Sequence, residues 1–512
     1  MDTPQLLPLF VALPLAAAFL IPLVSRLFRS AGEVLSVAVG ALLLVLAIAR
    51  LGAAPAVYRM GNWAPPFGIN MVSDALSNLM LLLISAVSLC VIVYALNYMK
   101  SYTARPKFYS LLMLMIAGMD GVVLTGDVFN LYVFLEIAAI SSYALVAFGT
   151  EDEELEAAFK YLVLGGVASS FILLGIAFLY SLTGTLNMAQ LAQTLRGLPA
   201  NHMVLLVSAL FIAGFGLKAA LVPFHAWLPD AHPSAPAPIS AMLSGLLIKA
   251  LGVYALIRLF YSVFAMQVTH STILIVLGLL SMVVGVFLAV GQWDFKRLLA
   301  YHSISQMGYV MLGIGLGTPL GIAAGIFHLI NHGVFKSLLF LCSGAVESRT
   351  GTRNLKELGG LCRRMPVTSA TCSIAALSIS GVPPFNGFWS KLLIIVAAVE
   401  ASQAPVALGS AAYAIAGITV IVSFMTLVSF VKVQKYVIFG KLPEKLVRVK
   451  EVPVAMCASL ILLAIMCLLM GVFSNVTLKN LVLPARDAAV NKAAYIERVF
   501  PGSETETAYM GD

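Results

Sequence analysis

Charge is what this sequence has least of. Only 11% of its 512 residues are Asp, Glu, Lys or Arg and 61% are apolar, against about 25% and about 45–50% in soluble proteins. A soluble fold is excluded by that ratio, and disordered and fibrous classes with it. No polar block between Leu6 and Gly471 is long enough to form a separate globular domain. The six cysteines contain no C-x-x-C pair and lie mostly in apolar stretches, where a thiol behaves as a small hydrophobe. A disulfide framework, a zinc site and an iron–sulfur cluster are therefore not expected, and there is no glycine loop for a nucleotide. No cofactor and no metal are expected, and no catalytic or redox site belonging to the chain itself. The net charge of +8 is spread over short loops rather than gathered on one domain, which argues against a nucleic-acid partner. The start also lacks the charged region of a signal peptide: Asp2 comes first, and Arg26 and Arg29 follow the first apolar run. That run is expected to remain as a transmembrane helix.

What is present is a succession of apolar runs, each near the roughly 20 residues a helix needs to cross hydrocarbon. They predict an all-α polytopic membrane protein with spans near 5–25, 32–52, 75–96, 108–124, 128–148, 157–182, 203–231, 237–261, 271–291, 297–315, 319–346, 366–400, 408–431 and 453–474. With these fourteen spans, eighteen Lys and Arg fall in loops on one side and seven on the other. The positive-inside rule then places both termini on the outer side of a cell's inner (plasma) membrane. The loop 53–73 is expected to form an outer hairpin, and the last forty residues to lie at the outer surface. Thr150 before Glu151-Asp152-Glu153-Glu154 fits a capping box opening the sixth span.

Two spans are too long for straight helices and contain Val222-Pro223 and Val382-Pro383-Pro384. Proline removes a backbone donor, so both are expected to break in mid-membrane. The breaks lie five spans apart, which predicts two five-helix repeats, spans 4–8 and 9–13, and an odd count forces opposite orientations. The organisation expected is 1–107 for three N-terminal helices with the hairpin, 108–261 for the first repeat, 271–435 for the second, and 453–512 for the last helix and tail.

An ionised group at the bilayer centre costs at least about 2.5–3.5 kcal/mol on insertion scales. The spans nevertheless hold Glu136, Lys218, Lys249, His302, His328, His332, Lys336 and Lys391. His328, His332 and Lys336 are spaced four apart and share one helical face. Arg258, near the outer end of its span, reads as a residue that snorkels to the interface. His328 and His332 have zinc spacing, but neither a following Glu nor a third ligand accompanies them. Burial disfavours an ammonium and a nearby carboxylate favours it, so a buried Lys can change charge when its neighbour moves. Glu136 and Lys218 are the natural pair. Broken helices leave backbone groups and space for water on such a path.

The stretch from Lys218 through Pro223-Phe224-His225-Ala226-Trp227-Leu228-Pro229-Asp230-Ala231-His232 to Ser240 resembles the hallmark of the antiporter-like subunits of complex I, Mrp-type Na+/H+ antiporters and membrane-bound hydrogenases. Asp127 to Glu136, His328 to Lys336 and Gly381 to Lys391 add to the likeness, which covers spans 4 to 13. The resemblance implies fourteen helices, two inverted repeats and a lateral row of polar groups. It implies a pair for Glu136 and Lys218, a central role for Lys249, and an outer exit at Lys391, with His302, His328, His332 and Lys336 between. Lys391 and the short C-terminal region bring the chain nearest the Mrp D type, with the quinone-linked N type as the alternative. The function implied is proton translocation within a multisubunit complex, an antiporter or the ion-pumping part of a redox-driven translocase. Protons, Na+, the bilayer and other membrane subunits are the partners this implies. Proton access near His225, Asp230 and His232 is a further expectation. A self-contained solute transporter and a scaffold with purely structural charges are the competing classes.

Overall fold

The computed structural model describes residues 4–28, 30–196, 202–403 and 408–501. Arg29 and the two chain termini, on which the topology reading draws, lie outside the described residues. Among the described residues, eleven helices are long and apolar enough to cross a membrane. The other three expected spans fall on Phe295–Gly315, which carries several polar residues, and on the two interrupted segments. The first of these runs from His202–Lys218 to Leu228–Ser234, and the second from Pro366–Ser380 to Asn386–Glu400. The hairpin expected in 53–73 is there, with Ala56–Arg59 antiparallel to Asn70–Ser73 and Ala56 opposite Ser73.

The capping box sits one residue later than the sequence implies. Glu151, not Thr150, is the N-cap of Asp152–Thr183, and its backbone N–H donates to Glu154 Oε2 at 3.1 Å. Thr150 has φ +63° and belongs to the preceding turn.

An internal repeat appears outside the helix breaks. Ser181-Leu-Thr-Gly-Thr-Leu-Asn187 and Ser348-Arg-Thr-Gly-Thr-Arg-Asn354 each span the C-terminal end of a 32-residue helix, Asp152–Thr183 and Pro319–Thr350. Gly184 and Gly351 end those helices at φ +68° and +72°, values that glycine adopts without a Cβ penalty. Asn187 bridges to Asp127, and Asn354 to Asp294. Each Asp then caps the next helix, accepting from Asn130 N at 2.7 Å and from Arg297 N at 2.8 Å. The two copies lie at opposite ends of the helix Ala237–Val263. The first reaches its C-terminal end through Met188–Arg196, which packs on Arg258–Val263. The second reaches its N-terminal end, where Arg353 Nη1 donates to Pro233 O at 2.5 Å and Lys296 Nζ to Ala235 O at 3.1 Å.

Helix 237–263 and residues 321–346 of helix 319–350 are buried throughout and form the middle of the bundle. They cross where Gly245 and Gly333 meet: a Cβ on either would come within 3.2 Å of the other's carbonyl oxygen. Small residues allow this approach, as in other membrane bundles. Lys249 thereby comes within electrostatic reach of His332 and Lys336 on the neighbouring helix.

Candidate functional site: a row of titratable groups across the bundle

Lys218 is the last residue of its half-helix, where the free carbonyls and the negative end of the helix dipole favour a cation. Past it the chain leaves the helix: Ala220 has φ +56°, and the freed Val222 N–H donates to Ser281 Oγ at 2.9 Å. Trp227 folds back, its indole N–H donating to Leu217 O at 3.0 Å and its ring stacking on Tyr161 at 4.1 Å. Tyr161 meets Tyr143 edge-on at 4.5 Å. This aromatic stack aims the Tyr143 hydroxyl at Lys218 Nζ, 3.2 Å away. Glu136 Oε1 stands 3.7 Å from the same ammonium and also accepts from Ser169 Oγ. The expected Glu136–Lys218 pair is therefore formed.

Lys249 is completely buried in a π-helical stretch, Leu243–Tyr254. Wide turns of this kind recur at functional sites, and here Lys249 Nζ donates to Ser244 O, five residues back, at 2.5 Å. Ser244 Oγ lies 2.6 Å from Ser303 Oγ on helix 295–315, which links the two halves beside His302. Lys249 and Lys218 share no direct hydrogen bond among the described residues. One turn beyond Lys249, Gly252 lies against the Ala219 backbone, where a Cβ would come within 2.7 Å of Ala219 N.

In the second half, His302 Nε2 is 2.8 Å from Ser429 Oγ. His328 lies between Ser390 Oγ at 2.9 Å and Gln306 Oε1 at 3.1 Å. His332 and Lys336 are buried with no hydrogen-bond partner for the two ring nitrogens or the ammonium among the described residues. Lys249, Lys336, His328 and Lys391 all lie within electrostatic reach of His332. Lys391 follows the second break and donates to Ile379 O at 2.7 Å, satisfying a carbonyl at the end of the first half-helix. It also lies 3.3 Å from Ser423 Oγ and 4.9 Å from the Tyr309 ring centre. Gly387 allows the two halves to close, since a Cβ there would strike Ser378 O. Lys391 lines a cavity of about 270 Å3 together with Ser380, Gly381 and Ser423.

All eight relay candidates thus lie along these facing helices. The three access candidates separate. Asp230 is at the surface, paired with Lys160 at 3.1 Å and Arg297 at 3.3 Å. His225 is half-buried. His232 alone is fully buried, its ring stacked on Phe340 at 4.5 Å.

Arg258 corrects the snorkelling expectation. It is 2% exposed and bonds Asp74 twice, at 2.8 and 2.9 Å. Its guanidinium sits over the rings of Tyr254 and Tyr495, at 5.4 and 5.2 Å. The sequence reading also passes over Tyr143, Ser169, Gln306, Ser390, Ser423 and Ser429. Asp120, fully buried on Arg105–Leu124 with no hydrogen-bond partner for its carboxylate among the described residues, adds a second intramembrane acid. Among the described residues no three His, Cys, Asp or Glu are placed to hold a metal ion.

Buried lysines and histidines strung across a helical membrane bundle, with two of the lysines at helix breaks, define an integral membrane protein built around a titratable row rather than a ligand pocket. Comparison with known proteins narrows that class. Residues 125–419 match the family described as NADH:quinone oxidoreductase/Mrp antiporter, transmembrane, and residues 60–109 match the N-terminus of complex I NADH-ubiquinone oxidoreductase chain 5. The D subunit of the Na(+)/H(+) antiporter of Alkalihalophilus pseudofirmus is 38% identical over 387 residues, 75% of this chain and 76% of that one. The N subunit of the NADH-quinone oxidoreductase of Desulforudis audaxviator is 35% identical over 497 residues, 93% and 96%. A chain of the Mrp complex from Dietzia sp. DQ12-45-1b superposes with a TM-score of 0.89 at 30% identity, covering 98% of this chain and 100% of that one. The chain belongs to the NADH:quinone oxidoreductase/Mrp antiporter family.

Proposed function

We propose that this chain is the proton-translocating subunit of a multisubunit Mrp-type Na+/H+ antiporter, of the D type. The observation that carries the reading is the Lys218 ammonium at a helix break, shared between Glu136 and Tyr143. Glu136 favours the charged form of Lys218, and separation of the pair drives its proton towards Lys249. The row continues through His332, Lys336, His328 and His302 to Lys391. Water bridges the gaps that direct hydrogen bonds leave, as polar groups flank each of them. The driving event is supplied by companion subunits, by countermovement of Na+ or by their redox chemistry.

The repeats are assigned to 108–261 and 271–435, flanked by 1–107 and 453–512, in fourteen spans. The loops rich in Lys and Arg face inwards, so both termini face outwards in the plasma membrane. The opposed Thr-Gly-Thr loops support this inversion. The quinone-linked N type is kept as a second reading because its relative aligns over more of the chain.

The test is Na+-dependent proton flux in vesicles carrying the complete assembly. Lys218→Ala and Glu136→Ala are expected to abolish flux while the companion subunits still co-purify. Normal flux in both variants overturns the proposal, and flux that needs quinone turnover but not Na+ selects the second reading.

A further inference from the structure

On the face rich in Lys and Arg, a cavity of about 530 Å3 opens between Pro319–Thr350 and Ala75–Tyr98. Asn97, Tyr98, Ser101, Tyr102, Glu347 and Arg349 line it, and its volume holds many waters. Glu347 is the acid in that lining, with 27% of its side chain exposed. Its carboxylate is bound from the protein side by Lys296 Nζ at 2.9 Å, and the Lys296 side chain is only 3% exposed. Lys296 is thus a buried ammonium whose partner, Glu347, turns a buried oxygen, Oε2, towards it while the rest of the side chain borders the cavity.

Beyond Lys296 the polar groups continue inwards. Lys296 Nζ also donates to Ala235 O, three residues along the same turn from His232. Ser240 Oγ ties that turn together, donating to His232 O at 2.9 Å. Both ring nitrogens of His232 are buried without a hydrogen-bond partner among the described residues. Its ring stacks on Phe340, and Lys336 Nζ lies 5.5 Å from the centre of that same Phe340 ring. Lys296, Lys336 and Lys249 all act electrostatically on His232. The other charges facing the ion pair are Arg353, 3.6 Å from Glu347 Oε1, Asp294 behind Arg353 at 3.1 Å, and Glu154, within electrostatic reach of Lys296 and Arg353.

We propose that Glu347 and Lys296 form the gate through which the titratable row exchanges protons with water on this face, and that His232 is the group they load. The inference rests on the relay reading above. A proton from the cavity binds the Glu347 carboxylate, making it neutral and loosening its hold on Lys296. Lys296 then gives a proton, across a bridging water, to the acceptor nitrogen of neutral His232, which has no direct hydrogen-bond partner among the described residues, and takes one from Glu347. Only O–H and N–H bonds change, and one proton has moved from water to the imidazole. Run backwards, the same steps release a proton, so the gate serves either direction of transport. Asp230, held between Lys160 and Arg297 at the surface, pairs with no buried titratable group among the described residues.

The experiment uses vesicles with the complete assembly and varies pH on the Lys- and Arg-rich face. Glu347→Gln and Lys296→Met are each expected to lower flux at least tenfold with subunit co-purification unchanged. Glu347→Asp is expected to restore at least half the flux but move the midpoint of the pH profile. Glu357→Gln, at an exposed acid of the same face paired with Lys445, is expected to leave flux and profile unchanged. Wild-type flux and profile in Glu347→Gln overturn the gate. Where Glu347→Gln or Lys296→Met fails to assemble, an unshifted profile in Glu347→Asp overturns it instead. Inactive Lys218→Ala beside normal Glu347→Gln removes the gate alone, whereas normal flux in Lys218→Ala removes the relay beneath it.

Discussion

The Lys218 ammonium donates to the Tyr143 hydroxyl at 3.2 Å, closer than the 3.7 Å that separates it from Glu136 Oε1. Glu136 is in turn held by Ser169 Oγ. A neutral acceptor therefore competes with the carboxylate for the lysine, and the carboxylate has a second donor to keep it in place. A contact ion pair near a protein surface is worth about 4 kcal/mol at 4 Å. The competition keeps the pair from locking, which a switch requires.

Tyr143→Phe tests this directly. The ring contact with Tyr161 at 4.5 Å survives in the variant while the hydroxyl is lost. A hydrogen bond to a charged group contributes about 1.5–3 kcal/mol, so the balance shifts towards the closed Glu136–Lys218 pair by about tenfold or more. Na+-dependent proton flux is expected to fall several-fold, less than in Lys218→Ala, with unchanged thermal stability of the purified chain. Wild-type flux would show that Tyr143 is only a wall of the site.

Arg258 and Asp74 form a charge pair buried on both sides, packed between rings rather than set at a helix break. Arg258 Nη1 and Nη2 engage both Asp74 oxygens, Tyr254 and Tyr495 flank the guanidinium, and Asp74 also caps Ala75–Tyr98 through Ser77 N at 3.0 Å. Arg258→Ala leaves a buried carboxylate uncompensated, at a cost of about 3–5 kcal/mol. Its melting temperature in detergent is expected to drop by many degrees, and the double variant Asp74→Asn/Arg258→Met to recover a large part of the loss. A loss in the double variant as large as in the single one would mean that packing around the guanidinium, not charge balance, sets the stability.

The contrast between these two pairs shows what a membrane sequence discloses. Helical spans are legible because lipid requires long apolar runs, and Lys218, Lys249 and Lys391 stand out because each is a charge deep inside one, away from its ends. Their hydroxyl partners do not stand out. Serine and threonine in such helices also bond the carbonyl four residues back, as Ser141 does with Ile137 O and Thr426 with Val422 O. Nothing local therefore separates Ser429, which meets His302, from Thr426 one turn before it. Arg258 misleads because its position near a helix end suits snorkelling and its partner lies 184 residues earlier. The Thr-Gly-Thr-x-Asn loops are visible as letters, but their meaning depends on pairing with Asp127 and Asp294, which only the fold supplies.

The two ends of the second half of the row should differ in access to water. Ser423 Oγ lies 3.3 Å from Lys391 Nζ and lines the cavity of about 270 Å3, whereas Ser429 is 1% exposed and bound to His302. Both are on Ala411–Val433, less than two turns and about 9 Å apart along the axis, so they share one helix. A thiol reacts as its thiolate, which needs water and a favourable charge nearby. Ser423→Cys next to the Lys391 ammonium meets both conditions, and Ser429→Cys in dry packing meets neither. A small methanethiosulfonate reagent, followed by site-resolved mass spectrometry on the purified chain, is expected to modify Ser423→Cys at least tenfold faster. Equal rates would place water at His302 as well and would make the row open along its side, so that protons need not travel to Lys391 to leave it.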